Sequence, residues 1–208
     1  MENYVITIAR AYGSGGCAIG QELAKELGIR FIDKELLRMA SDESGISDAL
    51  FHKYDENLDA KWYEKPEVMT GEVVGPMDKK FTSRDNLYNY QAKVIRKLAE
   101  KESFIILGRA ANYVLRNYPN VVSVNIQAPL DVCVLETEKR LKYPEKEARA
   151  FVLETNGNRA KYYKASTGTN WLDPENYDLS LNSARLGKES CKKLIKECLK
   201  DKLHIPIE

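Results

Sequence analysis

Hydrophobic and polar positions follow two different periods along the chain, and the changes of period mark the elements. Short runs rich in apolar and β-branched residues predict five strands, at 4–8, 31–32, 104–107, 121–126 and 177–181. Apolar residues at helical spacing predict helices, at 19–27, 85–101, within 130–165 and at 187–202. Strands that alternate with helices predict an α/β fold with a central parallel sheet covered by helices on both faces. Ligands of such sheets bind at the carboxyl ends of the strands.

One stretch does not fit this alternation. Residues 34–83 are mostly polar, with a weak helical pattern and with Pro66, Gly71, Gly75 and Pro76 among them. A connection of this length is too long for a simple loop, and long insertions are often functional. The sequence therefore predicts a helical insertion that contributes to the choice of substrate.

Charge and composition exclude several classes of protein. The 208 residues carry 32 Lys and Arg against 31 Asp and Glu, a net charge of +1, which argues against a general nucleic-acid or membrane-surface binder. No apolar run is long enough to span a bilayer, and the first residues show no basic and apolar signal segment. The four cysteines are widely spread, without a C-x-x-C pair. We therefore expect a cytoplasmic protein that binds a small molecule.

The charges are nevertheless unevenly distributed. Residues 42–80 hold ten acidic residues against five lysines, whereas residues 139–164 hold eight basic residues against three acidic ones. The small net charge thus conceals an acidic insertion and a basic helical region, an arrangement that favours binding of one small polyanion.

The strongest local signal is a glycine-rich turn between the first strand and the first helix. It includes Gly13, Ser14, Gly15, Gly16, Cys17 and Ala18. Such a turn exposes backbone N–H groups at the positive end of a helix, and glycine lets the backbone approach an anion closely. The alternative is a tight turn without a ligand.

Two nucleotide-binding motifs compete for this turn, and neither is satisfied in full. Gly13-x-Gly15-x-x-Ala18 fits the permissive dinucleotide fingerprint, with Asp33 after the second strand as the ribose-binding acid. The phosphate loop G-x-x-x-x-G-K-[ST] would instead place Gly16 at the lysine and Ala18 near the hydroxyl that binds Mg²⁺. Spacing alone does not decide between NAD and a nucleoside triphosphate.

Further motifs along nearly the whole chain resemble those of the cytidylate kinase-like proteins, relatives of the nucleoside monophosphate kinases. They comprise Ile6–Arg10 with Tyr12–Gly16, Ile19-Gly20, Phe31–Leu36, Ser44–Ser47, Gln91 with Val94-Ile95, Leu107–Ala110, Arg159 with Tyr162-Tyr163, Thr167-Gly168, Trp171 and Asn176–Ser183. The resemblance implies a three-layer P-loop kinase fold over residues 1–208 as a single domain. It also implies a nucleotide-monophosphate-binding insertion at 34–83, a basic lid at 137–170, and transfer of the ATP γ-phosphoryl group with Mg²⁺ to an acceptor such as CMP.

The resemblance also implies roles for individual residues. Arg109, after the third predicted strand, is expected to bind an acceptor phosphate, the alternative being a surface arginine. Arg159 matches a lid arginine that reaches the transferring phosphates, and Arg140 and Arg149 are further lid candidates or solvated residues. Asp33 is expected to hold Mg²⁺ through water or to orient the acceptor, unless it only caps a helix.

Three residues at the nucleotide end complete the expected set. Asn182 and Ser183, after the last strand, would flank the donor base. Arg10, just before the turn, is a candidate for the positive charge that the loop lacks.

The chain also departs from the family pattern. In the loop, Cys17 stands where many members have an arginine, and Ala18 stands where the phosphate loop has the hydroxyl that binds Mg²⁺. Elsewhere, Asn156-Gly157 replace an acidic and a basic residue, and Val132 replaces an arginine. A thiol at a helix N-terminus can have a lowered pKa, so Cys17 is either an oxidation site or an inert small residue. Three hypotheses follow: a kinase with an altered phosphate loop, a relative that binds nucleotide without turnover, and an NAD-dependent oxidoreductase.

Overall fold

The computed structural model describes residues 3–55 and 72–205. Its five strands form one parallel sheet, with bounds β1 Val5–Arg10, β2 Arg30–Ile32, β3 Phe104–Leu107, β4 Val121–Gln127 and β5 Leu179–Asn182. The described helices are α1 Gly16–Leu27, α2 Glu35–Ser44, α3 Asp48–Lys53, α4 Arg84–Ala99, α5 Ala111–Val114, α6 Leu130–Leu141, α7 Glu145–Thr167, α8 Ser183–Leu186 and α9 Lys188–Leu203, with a 3₁₀ turn at Pro174–Asn176.

The order of the strands decides between the two nucleotide motifs. The sheet runs β2-β3-β1-β4-β5, so β3 lies between β1 and β2. A dinucleotide-binding sheet has the order 3-2-1-4-5-6, in which the second strand is the neighbour of the first. Asp33 therefore lies two strands away from the glycine turn, and the topology required by the dinucleotide interpretation is absent from this sheet.

The central strand β1 is buried along its whole length because helices cover both faces of the sheet. Ile6 and Ile8 face a core formed with α1 and α9, whereas Val5 and Ala9 face a second core formed with α2, α4 and α5. Apolar positions on both sides of a strand are the pattern of a parallel sheet. The prediction of a central parallel sheet covered on both faces is confirmed.

The helices begin and end at residues with clear local causes. Gly28 ends α1 at φ 64°, and Gly168 ends α7 at φ 77°, both in the left-handed region that glycine adopts without strain. The helical region predicted at 130–165 is two helices, because Lys142 at φ 59° ends α6 and Pro144 precedes α7. The last strand begins two residues later than predicted, and β1 continues to Arg10.

The described parts of the 34–83 insertion are α2, α3 and an extended segment beside α4; residues 56–71 lie outside the described residues. Asn86 of α4 accepts a hydrogen bond from the Val74 amide (2.8 Å) and donates one to the Val74 carbonyl (3.1 Å). Asn89 donates to the carbonyl of Glu72 at 2.6 Å. Two buried asparagines thus hold the end of the insertion on the main body of the fold.

Across the two described ranges, no helix combines the length and apolar character needed to cross a membrane.

The packing of α1 on the sheet gives a first prediction. A Cβ at Gly20 would lie 2.8 Å from Phe31 Cε2 and 3.0 Å from Ile8 Cδ1, closer than packed atoms approach. We expect Gly20→Ala to lower the free energy of unfolding by about 1–3 kcal/mol in urea denaturation, because the core is overpacked.

The matched control is Gly157→Ala in α7, where a Cβ meets nothing within 4 Å. This change is expected to raise stability by up to about 1 kcal/mol, since alanine is the better helix former. A Gly20→Ala protein as stable as the control would contradict the close packing of α1.

Candidate active site

The glycine turn connects β1 to α1 at the carboxyl end of the sheet. Gly13 and Gly15 have φ values of 81° and 79°, in the left-handed region. A Cβ at Gly13 would lie 2.5 Å from the carbonyl oxygen of Cys133 in α6. Glycine is therefore required both by the backbone conformation and by the close approach of α6.

Several backbone donors of this loop find no acceptor in the part of the chain that the structure describes. The amides of Gly13, Gly15, Cys17 and Ala18 donate to no acceptor within the described residues, whereas the Ser14 amide donates to the Ala11 carbonyl at 3.3 Å. Orphan N–H groups at the start of a helix attract anions, both as donors and through the helix dipole. The loop thus has the properties of an anion-binding site.

Protein contacts hold the loop in this conformation. Ser14 Oγ donates to the Ala11 carbonyl at 2.9 Å. Ser183 Oγ, after β5, lies 2.6 Å from the Ser14 carbonyl and 3.2 Å from the Gln127 carbonyl. The hydroxyl of Ser183 therefore connects the loop with the ends of β4 and β5, so the loop is preorganised by the chain itself.

The first carbons of the Arg10 side chain pack against Gly16 of the loop. A Cβ at Gly16 would lie 2.7 Å from Arg10 Cβ and 3.4 Å from Ile126 Cβ. Arg10 is 92% buried and lines the cleft above the loop. A side chain at Gly16 would collide with the base of the Arg10 side chain, so Arg10 and Gly16, the position that the phosphate-loop motif gives to lysine, are direct neighbours.

A large cleft of about 990 Å³ opens above the carboxyl ends of the strands. Its lining contains every predicted catalytic and cofactor-binding residue except Asn182. Asn182 caps α8 instead, where its Oδ1 accepts a hydrogen bond from the Arg185 amide at 3.2 Å. Its contact with the donor base stays a prediction, whereas Ser183 and Ala184 do line the cleft.

Positive and negative side chains are unevenly distributed over the lining of the cleft. Around the glycine loop its lining holds five cations and one acid, namely Arg10, Lys139, Arg140, Arg159, Lys188 and Glu136. Near the ends of β2 and β3 the lining holds two acids and two cations, namely Asp33, Asp55, Lys34 and Arg109. The excess of positive charge therefore comes from β1, α6, α7 and α9, as expected for a polyphosphate site, and the side near the ends of β2 and β3 is balanced.

Arg109 joins the two acids of the balanced side. Its side chain is 2% exposed; Nη1 donates to Asp33 Oδ1 (2.8 Å) and the Leu107 carbonyl (3.0 Å), and Nη2 donates to Asp55 Oδ2 (2.9 Å). The backbone has φ 54°, an unusual conformation for a residue with a side chain. In place of a surface arginine and a helix cap, the structure thus shows a buried guanidinium paired with two carboxylates that are 34% and 15% exposed.

Helix α7 contacts the start of the glycine loop directly. Asn156 Oδ1 accepts a hydrogen bond from the Tyr12 amide at 2.7 Å, and Arg159 Nη1 donates to the Arg10 carbonyl at 3.2 Å. Arg149 lies elsewhere, on α7, and pairs with Asp131 at 2.7 Å. Neither residue has an expected role in the sequence, where Tyr12 is only part of a family motif and Asn156 only departs from the family pattern.

The acidic residues of the cleft fit Mg²⁺ that is bound through water better than Mg²⁺ bound directly by several side chains. Mg²⁺ usually keeps several waters and binds one or two carboxylates together with substrate phosphates. Asp33 is one-third exposed and lines the cleft, but Arg109 occupies one of its oxygens. No group of three or more His, Cys, Asp or Glu side chains in the described ranges is arranged to hold a metal. Asp33 would therefore act through a bound water, on an ion that the nucleotide carries.

Cys17 is not an activated thiol. Burial raises its pKa above the ordinary value, and the charge of Asp33 raises it further. The opposite effect of three arginines is smaller; they are Arg10, Arg140 and Arg159. The hypothesis of a lowered pKa at the helix N-terminus is therefore wrong, and the three arginines evidently act on the same point of the loop.

Comparisons with known proteins agree with this geometry. The model of the cytidylate kinase-like family matches residues 5–185. An uncharacterized protein from Eubacterium ventriosum is 24% identical with a TM-score of 0.70, over 95% of this chain and 99% of that chain. A shikimate kinase from Bacteroides thetaiotaomicron is 15% identical with a TM-score of 0.53, over 95% and 98%. The fold is that of the P-loop kinases. No curated protein matches the chain.

The ion-pair cluster gives a second prediction. Arg109→Met leaves two carboxylates near each other without their cation, which is expected to lower the free energy of unfolding by about 3 kcal/mol in urea. The control is Arg149→Met, because Arg149 and Asp131 are 40% and 84% exposed and such pairs contribute little. A change for Arg109→Met as small as for the control would contradict a buried cluster.

The thiol gives a third prediction. At pH 7 a raised pKa leaves Cys17 with a smaller thiolate fraction than an ordinary cysteine, so its reaction with a disulfide reagent such as DTNB should be slower than that of glutathione. The rate should keep rising with pH beyond the range in which glutathione levels off. The difference between wild type and Cys17→Ser isolates this thiol from the other three. A reaction faster than glutathione at pH 7 would restore the oxidation hypothesis.

Proposed function

Since the chain belongs to the cytidylate kinase-like family, we propose that it transfers the ATP γ-phosphoryl group to a small acceptor such as a nucleoside monophosphate. Family and fold indicate a nucleotide-binding phosphotransferase. The observation that carries the proposal is the set of orphan loop amides beneath a group of cations. A location in the cytoplasm and the absence of nucleic-acid or membrane partners stay predictions from the sequence.

In this proposal Arg10 supplies part of the positive charge that a lysine supplies in other phosphate loops. The lysine of a P-loop places a positive charge at the β- and γ-phosphates. Arg10 packs against Gly16, where that lysine would stand, and lines the cleft. Arg159 adds a second charge from α7. Phosphoryl transfer depends chiefly on positioning and on neutralising charge, so cations from other elements are a chemically sufficient replacement.

The proposed reaction divides the cleft into a donor end and an acceptor end. The acceptor oxygen forms a bond to the γ-phosphorus while the bond from this phosphorus to the β–γ bridging oxygen breaks, and ADP leaves. Mg²⁺, when bound with the nucleotide, neutralises charge on the phosphate oxygens. Asp33 orients the acceptor or a metal-bound water, and Arg159 stabilises the charge on the transferring group. Arg109 holds Asp33 in place through their ion pair. Its direct contact with an acceptor phosphate stays a prediction from the sequence, because Asp33 and Asp55 already accept from its guanidinium.

A second function is binding of nucleotide without turnover. Cys17 and Ala18 provide neither the cation nor the hydroxyl that active phosphate loops carry. The orphan amides would still bind phosphate, because they belong to the backbone. The two functions differ in the release of ADP and agree in the binding of MgATP.

The experiment compares binding with turnover. MgATP, CMP and NAD are titrated by calorimetry, and ADP release is followed over a panel of nucleoside monophosphates. We expect MgATP to bind, and Arg159→Ala to lower the rate of transfer by about 10²-fold or more, by analogy with other phosphate-binding arginines. Arg149→Ala is the matched control, since Arg149 lies on the same helix but pairs with Asp131 away from the cleft lining.

The outcomes separate the hypotheses. MgATP binding with no ADP release, in the presence or absence of acceptors, favours the binding function. Binding of NAD without binding of MgATP would refute both kinase-like functions. Equal loss of activity in Arg159→Ala and Arg149→Ala would show that α7 acts through stability and not through contact with phosphate.

A further inference from the structure

Tyr12, directly before the glycine turn, joins this part of the chain to α6 and α7. It follows β1 by two residues and precedes Gly13. Its ring packs edge-to-face against Phe151 of α7, with the ring centroids 4.9 Å apart. Its amide donates to Asn156, five residues further along the same helix. Both the backbone and the side chain of Tyr12 thus attach the loop to α7.

Two guanidinium groups lie over the same ring. The Arg140 Cζ atom is 4.6 Å from the ring centroid, and the Arg159 Cζ atom is 5.7 Å from it. Both distances are within the range of a cation–π interaction. Arg140 comes from α6 and Arg159 from α7, so one aromatic ring gathers cations from two helices.

Arg140 is held chiefly by this ring. It has no carboxylate within 4 Å among residues 3–55 and 72–205, yet it lines the cleft beside the orphan amides. A long arginine side chain on an exposed helix face would otherwise lose much conformational freedom on binding a phosphate. Contact with the Tyr12 ring restricts the Arg140 guanidinium before phosphate binds, so less conformational entropy is lost on binding.

The positive charges of Arg10, Arg140 and Arg159 act on Cys17, at the start of α1. Arg10, Arg140 and Arg159 all lower the pKa of the Cys17 thiol, although burial and Asp33 outweigh them. Cys17 is the first residue after the paired glycines. The charges therefore converge on the start of α1, although none of them belongs to that helix.

We propose that Tyr12 is a positioning residue that holds Arg140, and with it Arg159, over the phosphate loop, so that arginines of the lid region supply the charge that a loop lysine would supply. This proposal rests on the proposed function, because it concerns the binding of a polyphosphate at the same loop. It adds a role for an aromatic residue that does not itself touch phosphate.

The test measures phosphate binding separately from base binding. The probes are MgATP, inorganic tripolyphosphate and adenosine, titrated by calorimetry into the full-length protein. Tyr12→Leu removes the ring and is expected to weaken MgATP and tripolyphosphate about tenfold while leaving adenosine unchanged. Tyr12→Phe keeps the ring and is expected to stay within twofold of wild type. Tyr143→Leu is the control, because Tyr143 also packs on Phe151, at 5.9 Å.

A double-mutant cycle shows whether Tyr12 acts through Arg140. Arg140→Gln alone should weaken tripolyphosphate as Tyr12→Leu does, and the two changes together should weaken it little more than either alone. Additive losses, or a Tyr12→Leu protein that binds tripolyphosphate as wild type does, would overturn the proposal. An equal loss for adenosine would overturn it as well, since that loss reports a collapsed loop.

Two further outcomes keep the proposal distinct from the proposed function. Wild-type protein that binds tripolyphosphate with this dependence on Tyr12 but does not bind MgATP refutes the kinase function and supports the positioning role. Wild-type protein that binds neither refutes both. If Tyr12→Leu does not fold, Tyr12→His replaces it, because histidine keeps a ring with a lower affinity for cations. The affinity of Tyr12→His for tripolyphosphate must then lie between those of Tyr12→Phe and Arg140→Gln. An affinity equal to that of Tyr12→Phe overturns the proposal.

Discussion

The parallel pairing of β1 with a neighbour on each side is the constraint from which the site follows. β3 and β4 flank β1 in register, so their carboxyl ends finish at one edge together with the glycine loop. This edge brings together Arg10 from β1, Arg109 from the end of β3 and the connection after β4 that leads into α6. Because β1 is buried on both faces, two hydrophobic cores fix the strand from which the loop begins.

The properties of the loop that favour anion binding come from its backbone and not from its side chains. Backbone amides and the helix dipole are independent of side-chain identity, so in our proposal a loop without lysine and hydroxyl still binds an anion. In the same proposal the positive charge comes from Arg10 and from α6 and α7. On the opposite side Arg109 is neutralised by Asp33 and Asp55, which concentrates the excess positive charge of the cleft near the loop.

The sequence was informative wherever an interaction is local and much less so wherever it joins distant segments. Strand and helix positions follow from periodicity, and the glycine turn follows from residues 13–16, because both are local properties. The hydrogen bond from Tyr12 to Asn156 spans 144 positions, and the ion pair of Arg109 with Asp55 spans 54. No local pattern indicates either contact. The dinucleotide motif was misleading for the same reason, since strand order is a property of the whole sheet.

The most direct test of the account is whether the phosphate-loop amides bind MgATP. In a ¹H–¹⁵N NMR titration of the full-length protein, we expect the amide signals of Gly13, Gly15 and Gly16 to shift with saturable MgATP dependence. The amides of Gly28 and Gly45, at the far ends of α1 and α2, should shift much less. MgATP binding that shifts Gly28 or Gly45 and leaves the loop glycines unchanged, or no binding at all, would contradict the account.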